Sequence, residues 1–239
     1  MNKRFMLALA GLFSASALAA NDITPFLTQH YQPASSGSAT AQQWYKNETP
    51  GFLYHLCLDQ PLDASQRLLV MCGDGDDDRS AGADSGYFDI WYVRDGEAVS
   101  TLTAQGAGRY GQSGEARAVK ISDKRWAVAL ESGYSLQGFT QSFQHYYVVL
   151  DNKLVNVANV VTHSDNQGFC DPAERSDCQR DNLDTRVSFG QQEFGQQLPP
   201  MRLTAKGELA GKPVDKRWTV AFDAKTQRYA IPDEINIGY

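Results

Sequence analysis

RWAVALESGYSLQGFTQSFQHYYVVLDNKLVNVANVV, residues 125–161, is the stretch that decides the fold. Aromatic and β-branched residues dominate it, and these side chains suit the pleated, half-buried surface of a sheet. Asp151 and Asn152 separate two apolar runs, and both residue types tolerate the left-handed backbone of a two-residue hairpin turn. The stretch therefore predicts a meander of three strands at the centre of the core.

Strand-like segments continue on both sides of this meander. The segments LYHLCL, RLLVM and YFDIWYV precede it, and TRVSF, MRLTA and RWTVAF follow it. Asp95-Gly96 marks a further hairpin, and no helical period extends beyond single turns. Short strands separated by turn signals predict an all-β fold. We expect an antiparallel β-sandwich, with a partial propeller or a barrel-like meander as alternatives.

The first 20 residues, MNKRFMLALAGLFSASALAA, have the features of a secretory signal peptide. Lys3 and Arg4 form a positive region, an uncharged apolar run follows, and residues 17–19 give an A-x-A cleavage site. The sequence therefore predicts an exported protein, periplasmic or secreted. It predicts a flexible N-terminal arm over residues 21–50, with a short helical turn near Trp44, and a single β-rich domain over residues 51–239.

An internal resemblance suggests a duplication within this domain. Residues 123–131 (DKRWAVALE) match residues 215–223 (DKRWTVAFD), and each segment places charged residues before a tryptophan that begins a β-type run. Charged turns before such runs are common in β proteins, so a single match leaves duplication as the minority interpretation.

The charge of the chain argues against two classes of partner. The formal net charge is −6, and removal of the two basic residues of the signal peptide gives −8. An acidic surface repels nucleic acid phosphates and anionic lipids. We expect no nucleic acid partner and no membrane insertion, whereas the oligomeric state is left open.

Four cysteines lie after the signal peptide, and an even number in an exported protein indicates disulfides. Three pairings are formally allowed. If residues 53–58 and 68–72 are antiparallel strands, Cys57 and Cys72 face each other, while Cys170 and Cys178 flank a short loop. The favoured pairs are therefore Cys57–Cys72 and Cys170–Cys178.

An acidic loop after Cys72 is the candidate metal site. Carboxylates at alternate positions can converge on one calcium ion, which prefers six to eight oxygen ligands. Arg79 and Ser85 stand where a helix–loop–helix calcium site needs glycine and glutamate, so a solvated acidic loop is the alternative. The candidate Ca²⁺ ligands are Asp74, Asp76, Asp78 and Asp84, with Asp89 as a further carboxylate.

The loop between Cys170 and Cys178 is the candidate partner-binding element. Its acidic and basic residues are interspersed, which favours a polar recognition surface over a metal cage. Loops that project from a β scaffold commonly carry binding function. We expect Arg175, Asp177 and Arg180 to contact a partner.

Three functions are compatible with these features. The first is a non-enzymatic β-rich binding protein, such as an envelope accessory factor, an inhibitor or a recognition module for a protein or a glycan. The second is an exported hydrolase built from dispersed carboxylates and a histidine, although no G-x-S-x-G or H-E-x-x-H motif is present. The third is a calcium-stabilised module of the kind found in adhesion proteins.

Overall fold

The computed structural model describes residues 22–34, 42–75, 84–170 and 178–236. Strands make up most of the structure and helices only a small part of it. The strands are β1 (Gln32–Pro33), β2 (Trp44–Tyr45), β3 (Leu53–Pro61), β4 (Gln66–Asp74), β5 (Gly86–Arg94), β6 (Glu97–Ala107), β7 (Glu115–Ser122), β8 (Arg125–Leu136), β9 (Phe139–Leu150), β10 (Lys153–Asp165), β11 (Asn182–Phe189), β12 (Met201–Leu209), β13 (Lys212–Val220), β14 (Phe222–Asp223) and β15 (Arg228–Tyr229). Helix α1 (Thr24–His30) precedes them and a 3₁₀ turn (Asp233–Ile235) follows them.

The strands form two large antiparallel sheets and a short strand pair. The N-terminal sheet has the order β1-β2-β3-β4-β5-β6, the C-terminal sheet has the order β13-β12-β11-β10-β9-β8-β7, and β14 pairs with β15. Neighbours in each large sheet are neighbours in the chain, so both are meanders. In the described part of the chain neither sheet closes into a barrel. The prediction of an antiparallel all-β fold is confirmed.

The hairpin turns have the backbone that their residues favour. Asp151 and Asn152 have φ angles of 49° and 63° between β9 and β10, and Asp95 and Gly96 have φ angles of 52° and 80° between β5 and β6. Positive φ at both central residues is characteristic of the type I′ turn, whose twist matches the right-handed twist of the two strands that it joins. Both turns predicted from the sequence are confirmed.

Two apolar cores involve the C-terminal sheet. One lies between the two sheets and consists of Leu68, Val70, Cys72, Phe88, Ile90, Tyr92, Val128, Leu130, Tyr147 and Leu154. The other is built on β7 to β12 and on the chain after β13, and it includes Ile121, Ala127, Tyr146, Val160, Leu203 and Tyr229. The shared core joins the sheets, because each of them contributes buried side chains to it.

The described residues of the N-terminal segment, 22–34 and 42–50, include several that pack against the N-terminal sheet, in the region where the sequence predicted a flexible arm over residues 21–50. Phe26 and Leu27 of α1, together with Tyr31 and Trp44, are buried in a third core that also contains Met71. Burial of these large apolar side chains removes their surface from water, which stabilises the packed arrangement. Trp44 begins a short strand, β2, where the sequence predicted a helical turn.

The two similar segments occupy different places in the fold. Asp123 and Lys124 form the turn between β7 and β8, whereas Asp215 and Lys216 lie within β13. The positions of the two segments in the fold therefore do not support an internal duplication. The proposed signal peptide, residues 1–20, lies outside the described residues. The described ranges contain no helix with the length and hydropathy of a membrane span.

Candidate functional site

The two disulfides anchor the regions in which the sequence placed candidate sites. Cys57 pairs with Cys72 and Cys170 pairs with Cys178, with Cα atoms 5.8 Å and 5.6 Å apart. Both predicted pairings are confirmed. Cys57 is not directly opposite Cys72, because it lies at an irregularity of register in β3 where the pairing shifts.

An exposed apolar surface lies beside the second disulfide. It consists of Leu136, Phe139 and Phe169, and we call it the Phe169 platform. Phe169 is 48% exposed and Leu136 is 40% exposed. The rings of Phe139 and Phe169 stack, with their centroids 5.1 Å apart and their planes inclined by 24°. Large exposed apolar side chains grouped in this way are typical of sites that bind other molecules.

Close backbone packing holds the platform in place. Leu136 and Phe139 pair across the hairpin of β8 and β9, whose turn residues Gln137 and Gly138 have φ angles of 52° and 85°. A Cβ atom added to Gly138 would lie 2.4 Å from the carbonyl carbon of Gly168. The hairpin turn can therefore approach the segment that carries Phe169 only because Gly138 has no side chain.

The segment that carries Phe169 is fixed by Asn166. The carbonyl oxygen of Asn166 accepts hydrogen bonds from the backbone amides of Phe169 (2.9 Å) and Cys170 (2.7 Å). Its side-chain oxygen accepts one from the amide of Asp181 (2.8 Å), and its side-chain nitrogen donates to the carbonyl of Gln179 (2.9 Å). Asn166 is buried, so these bonds satisfy a polar side chain that would otherwise be costly to remove from water.

Arg180 is the candidate partner-binding residue that the structure places near the platform. Its Nη2 atom donates a hydrogen bond to Oε1 of Gln167 (3.3 Å), two residues before Phe169. Arg175 and Asp177 lie outside the described residues, so their roles stay predictions. The neighbouring Asp181 accepts a hydrogen bond from the amide of Ala210 (2.6 Å), which ties this segment to the turn between β12 and β13.

The acidic loop is described only at its two ends. Oδ1 of Asp74 accepts hydrogen bonds from the amide (2.9 Å) and the hydroxyl (2.7 Å) of Ser113, while the backbone carbonyl of Asp84 accepts one from Gly111 (3.0 Å). Asp76 and Asp78 lie outside the described residues. In the described ranges no group of three or more metal-binding side chains occurs. The calcium site stays a prediction.

Asp89 is part of a buried ion pair. Its Oδ2 atom lies 2.7 Å from Nζ of Lys46 and accepts a hydrogen bond from the hydroxyl of Tyr31 (2.6 Å), and its Oδ1 atom accepts one from the amide of Ala104 (2.6 Å). Burial, followed by the negative charge of Asp89, raises the pKa of Tyr31 far above its ordinary value. Tyr31 therefore stays protonated and donates to the carboxylate. Trp91 in turn donates to the hydroxyl of Tyr31 (3.1 Å).

Three polar residues of the catalytic type are aligned across the C-terminal sheet. His163 on β10 is directly opposite Ser142 on β9 and directly opposite Asp184 on β11. Nδ1 of His163 lies 2.8 Å from Oδ1 of Asp184. Directly opposite side chains on antiparallel strands have Cβ atoms about 5 Å apart, so Ser142 and His163 are neighbours on one face of the sheet. No local motif predicts this row, because it depends on the register of three strands.

An open cleft lies at another end of the C-terminal sheet. It has a volume of about 720 Å³ and lies between residues 120–124 and residues 190–196. Phe194, at the tip of the second segment, is fully exposed. Gln192 donates hydrogen bonds to the carbonyls of Gln196 (2.8 Å) and Gln197 (3.4 Å), which holds this turn closed. The cleft is lined mainly by polar side chains and is open to solvent.

Comparison with known protein families, with curated proteins and with solved structures gave no match. The Phe169 platform was missed from the sequence because its two rings come from residues 30 positions apart. Gly138 and Gly168 are the local sequence features that relate to the platform. That their backbones lie in close contact is apparent only from the fold.

Proposed function

We propose that this protein is an exported, non-enzymatic binding protein and that the Phe169 platform contacts a partner protein. The observation that carries this proposal is the exposed ring of Phe169, which stacks on the half-buried ring of Phe139 beside the Cys170–Cys178 disulfide. Aromatic side chains are enriched at the centres of protein interfaces, where they bury a large area.

The rigidity of the platform favours binding. Gly138 packs on the backbone of Gly168, and the hydrogen bonds of Asn166 fix the segment before Cys170. A surface that is ordered before binding loses less conformational entropy when its partner arrives. Arg180 adds a charged group at the edge of the apolar area, as is usual for the rim of an interface.

The proposal also includes the cellular location of the protein and the packing of its two large sheets. Two disulfides favour an oxidising compartment, and the features of residues 1–20 favour export to the periplasm or the medium. We further infer that the two sheets pack as a β-sandwich, since buried side chains from both form one core. In that arrangement the platform stands at the end of the β8–β9 hairpin, away from the shared core.

The test is site-specific photocrosslinking in the producing cell. A photoreactive phenylalanine analogue replaces Phe169 in one variant and Phe194, which is also exposed, in a matched control. We expect one discrete protein adduct at position 169 and none at position 194. The adduct at position 169 should disappear in Phe139→Ala, which removes the stacked ring. Equal adducts at both positions, or none at position 169, would contradict the proposal.

A hydrolase is the second candidate function, and the row of Ser142, His163 and Asp184 is the observation that favours it. In such an arrangement Asp184 orients the imidazole, His163 accepts the hydroxyl proton and Ser142 attacks the substrate. An added Cβ atom on Gly133 would lie 3.0 Å from Oγ of Ser142, so the absence of a side chain there gives the hydroxyl its space.

A fluorophosphonate reagent distinguishes this candidate from the binding protein. Attack of the Ser142 hydroxyl on phosphorus would displace fluoride and leave a covalent adduct, with the proton passing to His163. We expect labelling of the wild type to be lost in Ser142→Ala and in His163→Ala if the protein is a hydrolase. Ser188→Ala, at an exposed serine of β11, is the control that should keep the label. An unlabelled wild type would exclude this serine chemistry.

A further inference from the structure

We infer that the C-terminal sheet carries a second binding surface, specific for a polysaccharide that bears sulfate or phosphate groups. The surface is formed by Arg186 on β11, Arg202 on β12 and Arg217 on β13, and we call it the arginine face. All three side chains are exposed. This inference is independent of the Phe169 platform, because it uses different residues and a different class of ligand.

The register of the sheet brings the three arginines together. Thr204 is directly opposite both Arg186 and Arg217, and Arg202 lies two residues before Thr204 on the same strand. Strands are about 4.8 Å apart and rise about 3.4 Å per residue, so the Cα atoms of Arg186 and Arg217 are about 10 Å apart with Arg202 within about 9 Å of each. Directly opposite residues project from the same face of a sheet.

On this face, the carboxylates and the arginines lie in different rows of directly opposite residues. Lys206 is directly opposite Asp184 and Asp215, and its Nζ atom lies 3.5 Å from Oδ2 of Asp215. The arginine rows contain hydroxyl side chains at the corresponding positions, and no hydrogen bond or ion pair joins the three guanidinium groups to a side chain in the described ranges. The hydroxyl residues are Ser188, Thr204 and Thr219.

The arginine face is positively charged although the chain as a whole is acidic. The chain has 28 acidic and 22 basic residues, so carboxylates were available in the composition to pair with every arginine. Guanidinium groups bind sulfate and phosphate oxygens through two parallel hydrogen bonds, which gives both energy and orientation. The hydroxyls between them can donate to the same oxygens or to the hydroxyls of a sugar.

The shape and the net charge of the molecule narrow the class of ligand. The three arginines extend over adjacent strands of an open sheet face, which suits an extended polymer better than an enclosed small molecule. The net charge of −6 opposes the dense phosphate array of a nucleic acid, while a polysaccharide with widely spaced anionic groups needs only a local positive surface.

The test measures binding of fluorescein-labelled dextran sulfate by fluorescence polarisation at 50 and 200 mM salt, with uncharged dextran as the ligand control. We expect saturable binding of dextran sulfate that weakens with salt. The double variant R186Q/R217Q should bind at least tenfold more weakly. Lysine retains the charge but not the paired hydrogen bonds, so R186K/R217K should give an intermediate affinity.

The matched control is K120Q/K124Q, which removes the same charge from two exposed residues at the β7–β8 hairpin and should bind within about twofold of the wild type. Absence of dextran sulfate binding, or equal weakening in both double variants, would overturn the arginine face. Tighter binding to a single-stranded oligonucleotide, or binding only to phosphatidylglycerol vesicles, would overturn the assignment to a polysaccharide.

Discussion

The Nζ atom of Lys46 lies 2.7 Å from Oδ2 of Asp89, and this ion pair joins the N-terminal segment to strand β5 of the N-terminal sheet. The side chains are 9% and 0% exposed, so both charges are largely removed from water. Such a pair compensates for its desolvation only when both partners are present and the remaining hydrogen bonds are made. Tyr31 and Ala104 supply those bonds.

Removal of one partner of this pair should destabilise the protein strongly. We expect Lys46→Met to lower the free energy of unfolding by about 3 kcal/mol, because it leaves a buried carboxylate without its cation. Urea denaturation followed by circular dichroism measures the change. The double variant K46M/D89N should lose less than the sum of the two single variants.

An exposed pair provides the control for this prediction. Lys206 and Asp215 are 60% and 64% exposed and 3.5 Å apart, so Lys206→Met should change stability by less than about 1 kcal/mol. Equal effects of Lys46→Met and Lys206→Met would contradict a stabilising role for the buried pair.

His30 should make the stability of the protein sensitive to mild acid. Its ring lies 4.4 Å from that of Trp91. Burial lowers the pKa of His30 below 6.5, Lys46 lowers it further, and Glu97 opposes the shift. The unfolded chain therefore binds a proton more readily than the folded one. The stability that neutral His30 provides is complete above pH 6.5 and is lost as the pH falls through the lower, folded-state pKa.

We expect the free energy of unfolding to decrease between pH 7 and pH 5, and His30→Phe to decrease less over this range. Nuclear magnetic resonance titration of the His30 ring gives the pKa directly. A midpoint at or above 6.5 would contradict the prediction.

Local sequence signals predicted those parts of the fold that depend on neighbouring residues. Asp151-Asn152 specified a turn because both residues tolerate positive φ, and Cys170 and Cys178 are close enough in sequence to favour pairing. The packing of the N-terminal segment could not be predicted in this way. Phe26 and Trp44 lie in a polar stretch, and they are buried only because the N-terminal sheet offers an apolar face.

The candidate sites depend even more on tertiary structure. Asp89 was a candidate calcium ligand in the sequence, but its oxygens are engaged by Lys46 and Tyr31, which precede it by more than 40 residues. The arginine face requires the register of three strands, since Arg186, Arg202 and Arg217 are separated by 15 or more residues. Spacing along the chain carries no signal for such groups.

Two glycines in equivalent turns allow the packing of the Phe169 platform to be tested. Gly138 and Gly96 are the second turn residues of two hairpins, with φ angles of +85° and +80°. A Cβ atom on Gly96 would have no atom within 4 Å, whereas one on Gly138 would lie 2.4 Å from the backbone of Gly168 and of Phe169. Alanine at either position incurs the cost of a left-handed backbone, about 1 kcal/mol. Only alanine at position 138 also forces two backbone segments apart.

We therefore expect Gly96→Ala to lower the free energy of unfolding by about 1 kcal/mol and Gly138→Ala by about 3 kcal/mol, as measured by urea denaturation. Gly138→Ala should also abolish the crosslink at position 169, because it displaces Phe169 from the ring of Phe139, while Gly96→Ala should retain it. Equal stability losses would show that the two segments can separate at no cost. A crosslink that survives in Gly138→Ala would show that the partner does not need the stacked arrangement.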